Sequence, residues 1–190
     1  MRVIAGRAGG VRLVSPKTSV RPTMDRVKAA IFSSLGETVI GARVLDLFAG
    51  TGALGIEALS RGADLVLFVE EDRQSIAAIE KNLEKTGFKG RIRQQEVFGF
   101  LKGAGAEKFR IIFADPPYEK TKSGERFTEK LLGNESLPRL LEPDGVFVLE
   151  KRPSEEVSST RLWQVNRQKT YGATEVLFLS AIRSTLSGME

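Results

Sequence analysis

Val44-Leu45-Asp46-Leu47-Phe48-Ala49-Gly50-Thr51-Gly52-Ala53-Leu54-Gly55 is the stretch that decides the fold of this chain. An apolar run of strand type meets a cluster of glycines. An amphipathic run carrying Leu54, Ala58 and Leu59 follows. Gly50, Gly52 and Gly55 form G-x-G-x-x-G, and glycines at that spacing let a backbone turn tightly, approach a ligand and pack a helix on a strand. The spacing is weak evidence alone and gains weight from its place between a strand and a helix. The next apolar run, Leu65-Val66-Leu67-Phe68-Val69, ends on Glu70, which is 20 residues after Gly50. An acid at that distance is placed to hold ribose hydroxyls.

Two ligand classes fit this pattern, the nicotinamide or flavin dinucleotides and S-adenosylmethionine. Asp46 separates them. Dinucleotide-binding strands usually stay apolar up to the first glycine, whereas here a carboxylate stands four residues before Gly50. The run Asp46-Leu47-Phe48-Ala49-Gly50-Thr51-Gly52 resembles the D-x-x-x-G-x-G motif of class I methyltransferases. The plain alternative is an ordinary glycine turn with a capping Asp. Glu70 and a second motif downstream argue against it.

From residue 42 onward strands and helices alternate, the signature of a parallel sheet flanked by helices. Strands are predicted at 43–48, 65–70, 91–95, 109–114 and 145–150. Helices are predicted at 53–61 and 73–86, in a short piece carrying Phe98 and Leu101, and in segments over 126–142. Trp163 to Lys169 and Glu175 to Ser180, joined through Tyr171-Gly172-Ala173, read as a terminal antiparallel pair. Ahead of this core, Arg2–Ala5 and Val11–Val14 flank a glycine-rich bend and read as a small hairpin. A helix opens near Arg21-Pro22-Thr23, with Val27, Ala30, Ile31, Ser34 and Leu35 as its buried face. The last ten residues are expected to fray.

The length, 190 residues, suits one compact domain with a small appendage. No apolar run approaches the roughly 20 residues of a membrane span. No signal-peptide block opens the chain, so a soluble cytoplasmic protein is expected. Cys and His are both absent. That excludes a thiolate nucleophile, a Ser-His-Asp triad, an imidazole base and a Cys/His zinc site. Chemistry falls to carboxylates, Lys, Tyr, hydroxyls, backbone groups or a cofactor, and no metal is called for. Charge is uneven. Residues 1–36 hold seven basic side chains and one acid, a net +6, while the remainder holds 22 basic and 23 acidic groups, a net −1. A basic arm on a near-neutral domain suggests a polyanionic partner such as nucleic acid.

In an open α/β sheet ligands bind beyond the carboxyl ends of the strands. Four predicted strands in succession end on an acid: Asp46, Glu70, Glu96 and Asp115. The last opens Asp115-Pro116-Pro117-Tyr118, which resembles the [DN]-P-P-[YF] motif of methyltransferases that modify exocyclic or amide nitrogens. An aryl NH2 is a poor nucleophile because its lone pair is delocalised into the ring. Acceptors on both N–H bonds favour localisation of that pair on nitrogen. Asp115 supplies one acceptor and the Pro116 carbonyl the other, on a loop stiffened by two prolines. Tyr118 offers a face on which the target base stacks. Alone, the tetrapeptide is equally a stiff turn after a strand. Downstream of Asp46, Gly52 and Glu70 it reads as a site.

Taken whole, the chain resembles the RsmD family, the bacterial 16S rRNA guanine-N2 methyltransferases. The resemblance rests on Met1-Arg2-Val3-Ile4-Ala5-Gly6 with Gly10 and Leu13, and on Arg21-Pro22-Thr23-Met24-Asp25-Arg26-Val27-Lys28. It continues through Leu45 to Ala63, Phe68-Val69-Glu70, Asp115 to Tyr118, and Tyr171-Gly172. It implies a Rossmann-like α/β fold with a mostly parallel seven-stranded sheet. A basic appendage (1–38) would precede a methyltransferase domain (39–190). It implies S-adenosylmethionine as donor, S-adenosylhomocysteine as product, and a guanine of 16S rRNA in the small ribosomal subunit or its assembly intermediate as acceptor. Cofactor contacts would fall on Asp46, Phe48, Gly50, Gly52, Glu70, Glu96 and Asp115, and catalysis on Asp115, Pro116 and Tyr118. RNA contacts would fall on Arg2, Arg7, Arg12, Arg21, Arg26 and Lys28, with Lys120, Lys122 and Arg126 as a lid over a flipped base.

One position departs from the family pattern. Gly-Asp usually ends the third strand, where the Asp meets the adenine amine; here the residues are Gln95-Glu96. Adenine-N6 methyltransferases and glutamine-N5 protein methyltransferases share the catalytic logic, but favour Asn at position 115 and predict no such arm. A dinucleotide-dependent oxidoreductase leaves Asp46 and the tetrapeptide unexplained. A non-catalytic RNA-binding protein on the same fold is a further alternative. A monomer is the default expectation.

Overall fold

A computed structural model describes residues 1–15, 23–117, 126–155, 157 and 161–183. Arg21, Tyr118, Lys120 and Lys122, and the frayed end expected beyond residue 183, lie outside the described residues. The elements in chain order are α1 (Thr23–Leu35), a 3-10 turn (Gly36–Val39), β1 (Arg43–Leu47), α2 (Ala53–Ser60), β2 (Leu65–Glu70), α3 (Arg73–Thr86) and β3 (Arg91–Gln94). They continue with α4 (Val97–Lys102), β4 (Phe109–Ala114), α5 (Phe127–Leu132), α6 (Leu137–Leu140), β5 (Leu141–Lys151), β6 (Trp163–Tyr171) and β7 (Thr174–Ala181).

The seven strands form one sheet in the order β3-β2-β1-β4-β5-β7-β6. The first five are parallel to their neighbours, and β7 runs antiparallel between β5 and β6. This is the mostly parallel sheet with a terminal antiparallel pair that the sequence pattern predicts. Helices cover both faces, which is why β1, β2 and β4 are apolar nearly throughout. Alternation along each strand divides the core. Val44, Phe68, Phe113 and Val148 face α1, α2 and α3, while Leu45, Leu67, Ile112 and Leu149 face α4, α5 and α6. The chain winds outward from β1 to β3 and then crosses back to β4. The crevice above β1 and β4 is the topological switch point where such sheets bind ligands.

The helical segments expected over 126–142 are α5 and α6, separated where Asn134 Oδ1 accepts the Ser136 and Leu137 N–H groups, each at 3.0 Å. Three local expectations are corrected. Strand β5 begins at Leu141, not 145, because Leu141 pairs with Phe109 before the register shifts at Ile111. The N-terminal hairpin is shorter than the two expected arms: it pairs around Arg2 and Arg12, with the Leu13 N–H donating to the Met1 carbonyl and Val3 exchanging bonds with Val11 and Gly10. It stops there because the Ile4 and Ala5 N–H groups donate to the Glu57 carboxylate of α2, at 2.7 and 3.1 Å. The buried stripe of α1 is turned towards Lys28 and Phe32, both buried, and Ala30 and Ser34 are half-exposed.

Residues 1–15 are bound closely to α2 and α3. Ser60 Oγ donates to the Ala5 carbonyl at 2.6 Å and accepts the Ala8 N–H at 3.0 Å. A Cβ on Gly6 would lie 2.0 Å from the Ser60 carbonyl oxygen, so only glycine permits this contact. Val3, Ala8 and Leu13 join the same core cluster as β1 and α1.

Candidate active site

The glycine turn is clamped from both sides. Gly50 donates its N–H to Glu70 Oε2 at 2.8 Å, and Gly55 donates to Asp46 Oδ2 at 2.9 Å. Gly52 caps α2 at φ 74°, a conformation glycine adopts at little cost. A Cβ on Gly55 would lie 2.3 Å from the Phe68 ring, so this glycine lets α2 close onto β2. Glu70 Oε1 accepts two further N–H groups, from Glu71 and Asp72, both at 2.9 Å. A carboxylate has about four lone-pair sites, so Glu70 is rigidly aimed and retains acceptor capacity for a ligand.

Asp115 follows β4 directly. Pro116 behind it is buried, and Pro117 borders the cavity. The register pairs Leu47 with Ala114 and Ala114 with Leu149. One position further, Asp115 and Glu150 stand side by side on adjacent strands. They share a face with Asp46, which is paired to Phe113. Sequence reasoning placed Asp46 and Asp115 here but missed Glu150. Burial, then the Asp115 and Asp46 charges, hold the Glu150 carboxyl well above the usual carboxylate range. Burial pushes Asp115 up to about 6. Asp46 is pushed up to about 8, chiefly by burial, against the opposing Gly55 hydrogen bond and with added repulsion from Asp115 and Glu70. Among the described residues neither the Asp115 nor the Glu150 carboxylate has a hydrogen-bond partner.

These groups open onto one cavity of about 1030 Å³. Small-molecule sites span roughly 300–1,000 Å³, so a nucleotide-sized ligand and a second ring fit together. Asp46, Phe48, Gly50, Glu70, Glu96 and Asp115 all line it, whereas Gly52 and Pro116 stand behind its wall. Phe48 takes φ 56°, an uncommon backbone conformation for a bulky side chain. It packs edge-on against Phe127 at 5.3 Å and Phe98 at 6.3 Å, giving the cavity an aromatic wall. Glu96 caps α4, accepting the Phe98 and Gly99 N–H groups at 2.8 and 2.7 Å.

The basic arm divides into two kinds of cation. Arg2, Arg7, Arg12 and Arg26 are exposed, and Met1 and Ser15, at the two ends of the hairpin, border the cavity. Lys28 does not belong with them. It is buried, and its ammonium donates to the Arg2 carbonyl at 2.5 Å and pairs with Glu57 at 3.3 Å. The expectation of an exposed phosphate contact at Lys28 is therefore corrected to a structural cation under the hairpin. Arg126 is exposed and pairs with Glu129 at 2.5 Å. Among the described residues no group of three or more acids is placed to hold a metal ion, and no helix is long and apolar enough to cross a membrane.

A family model described as Conserved hypothetical protein 95 matches residues 1–180. The ribosomal RNA small subunit methyltransferase D of Haemophilus influenzae is 32% identical over 177 residues, covering 90% of this chain and 89% of that protein. The chain belongs to the RsmD family. Within reach of the same family, YlbH of Bacillus subtilis (strain 168) is 38% identical over 182 residues, covering 93% of this chain and 96% of that one. The solved structure of yhhF from Escherichia coli superposes with a TM-score of 0.79 at 30% identity, covering 95% of this chain and 97% of that chain. A more distant neighbour is the Thermus thermophilus 16S rRNA N2 G1207 methyltransferase, RsmC, solved with AdoMet and guanosine. It has a TM-score of 0.65 at 25% identity, over 87% of this chain and 44% of that one. The cavity combines the Gly50 turn with the Glu70 carboxylate, a lining of backbone N–H donors and a carboxylate acceptor that fits a nucleoside cofactor.

Proposed function

We propose that this protein is an S-adenosylmethionine-dependent methyltransferase acting on the exocyclic N2 of a guanine in 16S rRNA of the small ribosomal subunit. The observation that carries the reading is Asp115. Its carboxylate is unpartnered among the described residues, follows a central strand, and opens onto the cavity lined by Gly50 and Glu70. The named activity of the Haemophilus relative and of the Thermus neighbour supports the same substrate class.

Bound S-adenosylmethionine supplies an electrophilic methyl group on a sulfonium. Glu70 and the Gly50 turn orient the nucleoside, and the wall of Phe48 and Phe98 excludes water from it. Glu96 lies where it can accept an adenine N–H with the acceptor capacity left after capping α4. In this reading Asp115 accepts one N2–H of the guanine and the Pro116 carbonyl accepts the other. The N2 lone pair is thereby localised for attack. A C–N bond forms as the S–C bond breaks, and the extra N2 proton passes through Asp115 to water. Positioning supplies much of the remaining rate, since the methyl donor is already activated.

In this reading residues 1–38 deliver RNA and residues 39–190 carry the chemistry. Arg2, Arg7, Arg12 and Arg26 grip phosphates at the mouth of the cavity. In this reading the enzyme is a monomer that works in the cytoplasm, where small subunits assemble. The test is methyl transfer to small subunits lacking the modification, followed by nucleoside digestion. N2-methylguanosine supports the reading. N6-methyladenosine, or transfer only to DNA or to protein glutamine, overturns it.

A further inference from the structure

We propose that Glu150 is the residue that selects guanine, accepting the N1–H of the target base beside Asp115. The inference rests on the guanine-N2 reading above and names its specificity determinant. Guanine presents N1–H and N2–H as adjacent donors along one edge. Adenine and 2,6-diaminopurine present an acceptor at N1. A site for the guanine edge needs two acceptors side by side.

The fold supplies that pair. Ala114 and Leu149 are paired across the parallel strands β4 and β5, so the next residues, Asp115 and Glu150, are neighbours. Adjacent strands lie about 4.8 Å apart and paired residues project to the same face. Both carboxylates line the cavity, and neither has a partner among the described residues. Among the described residues beside Asp115, no other acid fills the role. Asp46 lies deeper, level with Phe113, and is engaged by the Gly55 N–H. On the β1 side of Asp115 the chain presents Phe48 instead of an acceptor. Both acids are half-buried, and such a carboxylate without donors is costly to ionise. Two N–H groups brought to the pair favour its ionised form, and the guanine edge offers those two groups.

The experiment compares 16S rRNA carrying guanine or 2,6-diaminopurine at the methylated position, joined by splinted ligation and reconstituted into small subunits. Both bases offer the 2-amino group; they differ at N1 and, in a 6-amino for a 6-oxo group, at C6, so the Glu150 variants isolate the N1 contact. The wild type is expected to prefer guanine in kcat/KM by roughly 10- to 100-fold, the discrimination of a good paired contact. Glu150→Gln, whose amide can donate to N1, is expected to reduce that preference at least tenfold. Glu150→Asp is expected to keep the preference at a lower rate. Equal use of both bases by the wild type overturns the proposal without any variant. An unchanged ratio in Glu150→Gln, with both rates falling together, also overturns it and leaves Glu150 a structural acid. Absence of N2-methylguanosine from the wild type would instead sink the guanine-N2 reading itself.

Discussion

Asn82 and Val14 are joined by a pair of hydrogen bonds: the Val14 N–H donates to Asn82 Oδ1 at 2.6 Å, and Asn82 Nδ2 donates to the Val14 carbonyl at 3.0 Å. The same Nδ2 donates to the Thr51 carbonyl at 3.0 Å. One buried amide thus ties the end of the hairpin to the glycine turn. Asn82→Ala removes three contacts and leaves backbone groups unpaired, a loss of about 2–3 kcal/mol. The expected outcome is weaker S-adenosylhomocysteine binding by calorimetry together with faster amide exchange at Val14. Unchanged exchange at Val14 would show that the two parts are not coupled.

Lys28 and the exposed arginines separate stability from RNA binding. Lys28→Ala takes the ammonium from Glu57, fully buried in α2, and leaves it Arg61 at 2.8 Å and the Ile4 and Ala5 N–H groups, so the cost falls at the low end of a broken buried pair, about 3 kcal/mol. A large fall in Tm is expected. Arg12→Ala and Arg26→Ala are expected to leave Tm nearly unchanged, raise KM for small subunits and reduce the salt dependence of binding. Thermal denaturation beside steady-state kinetics checks both halves.

The acid cluster makes the ligand-free protein less stable as pH rises. Asp115 and Asp46 are held up to about 6 and about 8, chiefly by burial. An acid whose folded pKa exceeds its unfolded value holds its proton in the folded state after the unfolded chain has released it. Its stabilising contribution is complete below about pH 4 and is lost as pH rises through the folded pKa. Tm should therefore fall between about pH 4 and 8 from this source, the Asp115 part below about pH 6 and the Asp46 part up to about pH 8. Asp115→Asn should raise Tm at pH 8 by about 4–8 °C, on the order of 2 kcal/mol for a chain of this size, with little change near pH 4. Equal gains at both pH values would contradict it.

The parallel core was legible because its code is local. Apolar strands, helical stripes and the glycine turn each declare themselves over a dozen residues, and the terminal antiparallel pair does so through Gly172. What the sequence hid depends on partners distant along the chain. Lys28 reads as one more cation of a basic arm until Glu57 is seen beneath it. Ile4 and Ala5 read as strand until their N–H groups are found on that same carboxylate. Glu150 ends the strand predicted at 145–150 on an acid, as Glu70 ends the second, a local signal that was available. Its significance needed the β4–β5 register that sets it beside Asp115. The acid at the third strand was legible as a position, but its engagement in capping α4 was not.

The central claim is that Asp115 activates the acceptor nitrogen. The most direct measurement is transfer of labelled methyl from S-adenosylmethionine to unmodified small subunits by wild type and Asp115→Ala, with S-adenosylhomocysteine affinity measured for both. The account predicts label in N2-methylguanosine with the wild type. It predicts a loss of at least about 100-fold in the variant, with cofactor affinity within roughly tenfold. Full transfer by Asp115→Ala, or transfer lost only in proportion to cofactor binding, would contradict it.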